Sequence, residues 1–200
     1  LPAPSWNLWE DRRGIHTFTC ASVVGGLRAA AKFARLFGEA GRAEIYETAA
    51  DEICAAMREH LYSAEHGRFL RALQFHGDDY YEPDATIDAS LFGTFYFGAF
   101  APADKMVAAT MRAVEKHLWI NTEIGGVARF ENDSYMRFSP DTPPNAWFIC
   151  TLWLADYRIA IARKKEDLKG ALEILEWTCK RALPSGVLAE QVNSLTGEHA

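Results

Sequence analysis

The sequence predicts an all-α fold in which heavily apolar helices alternate with amphipathic ones, an inner layer wrapped by an outer layer. Three observations predict it. Six segments carry apolar residues at three-four spacing, the signature of a helix with one buried face. Segments apolar nearly all round alternate with segments charged on one side, and a helix apolar all round must be covered on all sides. The connections are also unequal, with the long ones leading into the inner-type helices.

Residues 16–37 place Cys20, Val24, Leu27, Ala31 and Ala34 on one face. Gly25 and Gly26 lower helix propensity there and suggest close approach by a neighbouring element. Residues 41–61 carry Ile45, Ala49, Ile53, Ala56 and His60 opposite their charges. Residues 86–98, TIDASLFGTFYFG preceded by Ala85, are apolar nearly all round. Residues 103–118 follow Pro102 and carry Val107, Met111, Val114 and Leu118. Residues 145–163 are again apolar on most sides, and 166–181 carry Leu168, Leu172, Leu175 and Cys179. Two short alternating stretches, GRFLRALQF and GGVARF, are expected as small strands in the connections. Trp153, Trp177, Tyr157 and the phenylalanines of 92–97 are expected in the core, and Trp119 carries no signal of its own.

The long connections are rich in acids and aromatics: SWNLWEDRRG, FHGDDYYEPDATID and ARFENDSYMRFSPDTPPN, with a fourth, LPSGVLAEQVNSLTGEHA, after the last helix. In an up-down array all four fall at one end, where the inner helices begin. Helix N-termini carry partial positive charge, and loops gathered on a rigid scaffold are where sites are built. The acids of GDDYYEPD are expected to be a solvated loop.

Bulk properties narrow the function. At 200 residues the chain fits one domain or a large piece of one, and its 49% apolar share supports a sizeable core. A net charge of -6 without a Lys/Arg block argues against nucleic acid as a partner. No apolar run reaches the roughly 20 residues that span a bilayer, so no membrane partner is expected. The chain begins with Leu1 rather than Met and ends without a closing element, and is read as a piece truncated at both ends. The four cysteines, Cys20, Cys54, Cys150 and Cys179, form no C-x-x-C pattern and read as buried free thiols of a reducing, cytoplasmic setting. The histidines show no ligand spacing and read as surface or helix-end residues, so no metal or cofactor is expected.

The stretch PSWNLWEDRRG sets two tryptophans, Trp6 and Trp9, beside Glu10, Asp11, Arg12 and Arg13. A salt-bridged surface loop needs no tryptophan and a core needs no Glu-Asp-Arg-Arg, whereas a sugar site uses both. Together LWEDRRGIHTFT, GGVARFENDSY, NAWFICTLWLA and LPSGVLAEQ with TGE resemble the glucoamylase-type inverting enzymes of glycoside hydrolase family 15, which include glucoamylases, glucodextranases and some microbial trehalases. The resemblance implies a twelve-helix (α/α)6 barrel. Residues 1–200 would be its later half, a partial barrel short of the last inner helix.

The resemblance also implies site residues. Glu10 falls on the general acid and Glu190 on the general base. Asp11 is a neighbouring acid that helps hold the sugar, and Trp9 is a ring at the bound glucosyl unit. Arg129 binds sugar hydroxyls within a motif that keeps Asp133 and Tyr135. Asn145 and Trp147 match a Gly-Asn-Pro-Trp-Phe segment whose proline is Ala146 here. Asp88 also matches a family position, without an assigned role. Inversion needs one carboxyl group to protonate the leaving oxygen and another, roughly 6.5–9.5 Å away, to draw a proton from water. Trp6 and Trp9 are expected to desolvate Glu10 and Asp11 to repel its charge, while Arg12 and Arg13 act in the opposite sense. A helix N-terminus near Glu190 would favour its ionised form.

The implied activity is hydrolysis of an α-linked glucan or disaccharide by an exo-acting α-glucosidase. The alternative is a catalytically inactive helical module serving packing or oligomerisation. Exposed apolar inner helices would make a surface that associates, giving a homo-oligomer.

Overall fold

The computed structural model describes residues 1–77 and 80–200; Asp78 and Asp79, two acids of the GDDYYEPD loop, lie outside the described residues. The chain divides into one unit of residues 1–86 and 93–110 and a second of residues 87–92 and 111–200.

The first unit begins with a hairpin, β1 (Ser5–Trp6) against β2 (Arg13–His16). Strand β2 passes without a break into helix α1 (Thr17–Leu36). Helix α2 (Ala40–His60) follows after a tight turn in which Gly38 adopts φ 78°. That conformation suits glycine at a helix end, and the amides of Phe37, Gly38 and Glu39 satisfy the last carbonyls of α1. The pair β3 (Tyr62–Ser63) and β4 (Arg68–Phe69) then leads to β5 (Ala72–Phe75) and β6 (Tyr81–Asp84). The sheet order is β1-β2-β5-β6, antiparallel throughout, with Ile15 opposite Leu73 and Leu73 opposite Pro83. Thr17 fastens α1 to this sheet. Its amide donates to the Arg71 carbonyl at 3.0 Å and its hydroxyl to the Leu70 carbonyl at 2.6 Å. Met57, Leu61 and Phe69 are fully buried in this unit.

Residues 86–98 do not form one helix. A 3₁₀ turn at Ala89–Phe92 belongs to the second unit, and only the single turn α3 (Gly93–Tyr96) belongs to the first. The expected close approach is real at Gly25, where a Cβ would lie 3.1 Å from Phe97 just after α3. Gly26 has open space beside it.

Helix α4 (Lys105–Leu118) buries Val107, Met111, Val114 and Leu118, the face its periodicity predicts. In the second unit β7 (Ala146–Trp147) leads directly into helix α5 (Phe148–Ile161), which therefore starts three residues later than its apolar pattern suggests. Helix α6 (Lys169–Cys179) follows a 3₁₀ turn at Lys165–Leu168 and packs on α5. Strand β8 (Gln191–Val192) returns to pair with β7. GGVARF is extended, but makes only isolated bridges, Val127 with Trp119 and Trp147, and Phe130 with Asp88. Gly126, at φ 91°, has no room for a side chain: a Cβ would lie 2.7 Å from both Ala146 and Trp177. Phe92 stacks on Trp153 with ring centroids 4.1 Å apart. Phe92, Phe95 and Tyr157 are buried as expected, whereas Trp153, Trp177 and Phe97 are only partly so.

Several expectations need correction. In α2 the buried residues are Ala43, Ala50 and Met57, while Ile45 is exposed. In α6 they are Ala171, Ile174 and Thr178, and Leu172 and Leu175 face outward. In both helices the buried face lies beside the stripe that the sequence selects. Cys20 and Cys150 are buried, but Cys54 is only partly so and Cys179 is exposed. His16 stands at a helix end as expected, as the N-cap of α1, but it is buried there. Among the described residues no helix is long and apolar enough to cross a membrane.

Candidate active site

Trp9, Glu10 and Asp11 lie in the first unit, in the loop that joins β1 to β2. Asn7 closes that loop. Its side-chain oxygen accepts the amides of Asp11 at 3.0 Å and Arg12 at 3.4 Å, and its side-chain nitrogen donates to Asp11 Oδ1 at 2.6 Å. Its carbonyl accepts the Glu10 amide at 3.1 Å, and its own amide donates to the Arg12 carbonyl at 2.9 Å. One nearly buried amide side chain thus holds both ends of the loop.

Glu10 sits at the loop tip with φ 59°, a conformation that costs a non-glycine residue about 1–2 kcal/mol. Its side chain is exposed. Trp6, expected to help desolvate Glu10, is 61% exposed, so that ring does not enclose the carboxyl group. Arg12 is 3.9 Å from Asp11, a loose pair at the surface.

Arg129, Trp147 and Glu190 lie together in the second unit. Arg129 makes a two-pronged ion pair with Asp133, Nε to Oδ2 and Nη2 to Oδ1, each 2.7 Å. Asp133 is buried, and its Oδ1 also accepts the amide of Tyr135 at 3.0 Å. Such fork-to-fork pairing fixes the guanidinium plane as well as its position. Three rings flank that plane, Trp147 at 4.5 Å and Tyr135 and Phe130 at 5.0 Å each. Trp147 is 3% exposed, so its indole works mainly as a floor under Arg129. The backbone of the same loop is unusual, with Asn132 at φ 60° and Met136 at φ 54°.

Glu190 is exposed and immediately precedes β8. Its carbonyl accepts the amide of Phe148, the first residue of α5, at 3.2 Å. The backbone of Glu190 therefore caps the N-terminus of α5. Pairing of Trp147 with Gln191 puts the neighbour of Glu190 beside the ring that supports Arg129. A buried network holds this junction. Asn145 donates to Gln191 Oε1 at 3.0 Å and to the Met136 carbonyl at 2.9 Å, and accepts the Ser194 amide at 3.3 Å. Asp88, also fully buried, caps the 3₁₀ turn through the amide of Ser90 at 2.8 Å. The carbonyl of Arg129 accepts the next amide, that of Ala89, at 2.7 Å.

Asn7, Gln191 and Ser194 are the residues that sequence reasoning misses. An Asn four positions before an acid, at the mouth of a short loop, is the one signal that could have marked Asn7, since asparagine bonds readily to nearby backbone. Gln191 and Ser194 act through partners more than 40 residues away, which local pattern does not reveal. Among the described residues no group of three or more His, Cys, Asp or Glu side chains could hold a metal ion.

The family model for glycosyl hydrolases family 15 matches residues 2–199. The chain is 24% identical to an uncharacterized glycosyl hydrolase of Methanocaldococcus jannaschii, over 97% of this chain and 31% of that protein. It is 28% identical to a trehalase of Mycobacterium tuberculosis, over 98% of this chain and 26% of that one. The chain thus spans about a third or less of the length of these curated relatives. A crystal structure of a bacterial glucoamylase complexed with acarbose covers the whole chain at a TM-score of 0.81 and 20% identity, using 32% of its own length. That likeness shows the fold: mostly helical, as in the glucoamylase (α/α)6 architecture, with a few short strands.

Proposed function

The chain belongs to glycosyl hydrolases family 15, and from this we propose that it supplies both catalytic carboxyl groups of an inverting, exo-acting α-glucoside hydrolase. Glu10 donates a proton to the glycosidic oxygen as the bond to the anomeric carbon breaks. Glu190 takes a proton from a water molecule that attacks that carbon from the opposite face. One water is consumed, and glucose leaves as the β-anomer. Trp9 stacks on the apolar face of the glucosyl ring, and Asp11 accepts from its hydroxyls. Arg129 donates to hydroxyls while Asp133 and Trp147 hold it in place. The substrate is an α-linked oligosaccharide or disaccharide.

The observation that most supports this reading is the junction at Glu190, an exposed glutamate whose backbone caps α5 one strand pair from a rigidly held arginine. The test uses the complete protein with trehalose, maltooligosaccharides and isomaltooligosaccharides. Glu10→Gln and Glu190→Gln should each lower kcat by on the order of 10²–10⁴ with the fold intact. Unchanged hydrolysis in either variant rejects that assignment, and release of the α-anomer rejects inversion.

A second reading, association through an apolar surface, is favoured by exposed apolar side chains on the first two helices. Phe33 and Leu36 of α1, Phe37 in the turn and Ile45 of α2 are 62%, 80%, 80% and 66% exposed. Surfaces of this kind mark contact sites. Sedimentation should show the 200-residue chain self-associating, and a monomer that persists on concentration rejects this.

A further inference from the structure

We propose that the second unit carries a second, non-catalytic saccharide site, in a groove beside Trp119. The groove has a volume of about 340 Å³, within the range of small-ligand sites, and its walls include His117, Trp119, Asn121, Glu131, Asn132 and Pro144. None of Arg129, Trp147 or Glu190 lines it. Ala128, Phe130, Glu131 and Asn132 line the groove, whereas the Arg129 side chain turns to Asp133.

The chemistry of the walls selects the ligand. Trp119 is 38% exposed and rests on Gly125, where a Cβ would lie 3.1 Å from its ring. One part of the indole is thus backed by the chain and the rest is open, which suits stacking on a pyranose. Glu131 is held in place because its Oε2 accepts the Ile87 amide at 2.8 Å, and its Oε1 stands 4.0 Å from His117 Nδ1. The side-chain amides of Asn121 and Asn132 offer both donors and acceptors. No lysine or arginine lines the groove, so an anion finds no partner there. Apart from Glu131, which the Ile87 amide already engages, the polar groups of the walls are neutral donors and acceptors, and a neutral polyhydroxylated ligand is the best match. Asn132 lines the groove with φ 60°, and unusual backbone conformations concentrate at ligand sites.

This site does not depend on the hydrolysis proposed above. The test is an NMR titration of the complete protein with maltose and, separately, glucose. Amide shifts should move at His117–Asn121 and at Glu131 and Asn132. Trp119→Ala should weaken binding there by roughly three- to tenfold, the scale of one aromatic contact. Because Trp119→Ala could disturb folding, Asn121→Trp, at an exposed position, serves as a steric block and should abolish these shifts. Arg129→Ala should leave them in place. Absence of shifts at these residues, or their persistence in Asn121→Trp, overturns the proposal whatever the outcome of the hydrolysis assays. Shifts here without any hydrolysis would reject the catalytic reading and leave this one standing.

Discussion

The carbonyl oxygen of Glu190 accepts the amide of Phe148 at 3.2 Å, which ties the backbone of an exposed glutamate to the first turn of α5. The first four amides of a helix lack partners within it, and here a residue from the far end of the chain satisfies one of them. The same strand pair puts Gln191 opposite Trp147, whose ring carries Arg129. Glu190 and Arg129 are therefore positioned by one junction, and what disturbs that junction should disturb both.

Asn145 is the side chain that ties it. Asn145→Ala would strip partners from the Gln191 side chain, the Met136 carbonyl and the Ser194 amide, of which Gln191 and Ser194 are buried. Leaving a buried polar group unsatisfied costs about 1–3 kcal/mol. Denaturant unfolding should show a loss of that size. If Asn145 positions Glu190, kcat of the complete protein should also fall while KM changes little. A stable variant with unchanged kcat would restrict Asn145 to a purely structural role.

How much of this was legible in the sequence differs from element to element. The stripe of α4 was read correctly because its largest apolar residues are also the buried ones. The stripes of α2 and α6 were misread because Ile45, Leu172 and Leu175, which drew the stripe, face outward, while the buried faces run through Ala43, Ala50 and Met57 and through Ala171, Ile174 and Thr178. The segment 86–98 reads as one helix because its composition is apolar throughout, yet Asp88 caps a short 3₁₀ turn instead. The hairpin β1–β2 was hidden because its pairing is fixed by Asn7, not by alternation. Glu10, Glu190 and Arg129 came from motif resemblance, whereas the network that holds Glu190 is a matter of tertiary contacts.

Acid should destabilise the protein in two stages. Burial holds His16 below its ordinary pKa of 6.5, against the raising effect of hydrogen bonds with the backbone at Ser5 and Arg12. A lowered folded pKa means the fold prefers the neutral ring, so this stability is present above pH 6.5 and is lost as pH falls below it. For Asp84, burial raises the pKa, but hydrogen bonds from Thr86 and Arg71 outweigh it and the net shift is below 3.8. That contribution is present above pH 3.8 and is lost as pH falls through the folded value. Melting temperatures against pH should decline first below the histidine value and again below the carboxylate value. His16→Gln should flatten the first decline and Asp84→Asn the second. A wild-type profile level from neutral pH down to the carboxylate range would refute the histidine part.

The four thiols should react in an order set by exposure and pKa. The thiolate is the reactive form. Burial pushes Cys20 up to about 12 and Cys150 well above its usual value, and raises Cys54 to a lesser extent. Cys179 is exposed. Under native conditions iodoacetamide should label Cys179 first and Cys54 slowly, and spare Cys20 and Cys150 until the chain unfolds. Peptide mass mapping checks the order, and early labelling of Cys150 would contradict its burial in α5.

Glu10 offers the sharpest test of whether its backbone serves function. At φ 59° a glutamate carries strain that a glycine does not. Glycine would also lose more chain entropy on folding, which offsets part of the relief. Glu10→Gly should therefore leave stability unchanged or raise it by up to about 1 kcal/mol, while abolishing turnover in the complete protein. Glu10→Val, β-branched and poorly suited to this conformation, should lower stability by about 1–2 kcal/mol. A glutamate at a position where glycine is at least as stable supports the carboxyl-group role proposed for Glu10, and denaturation of the two variants side by side reads this out. If Glu10→Gly proves less stable than wild type, the side chain contributes to folding, and the strain at this position is no longer evidence of a catalytic role.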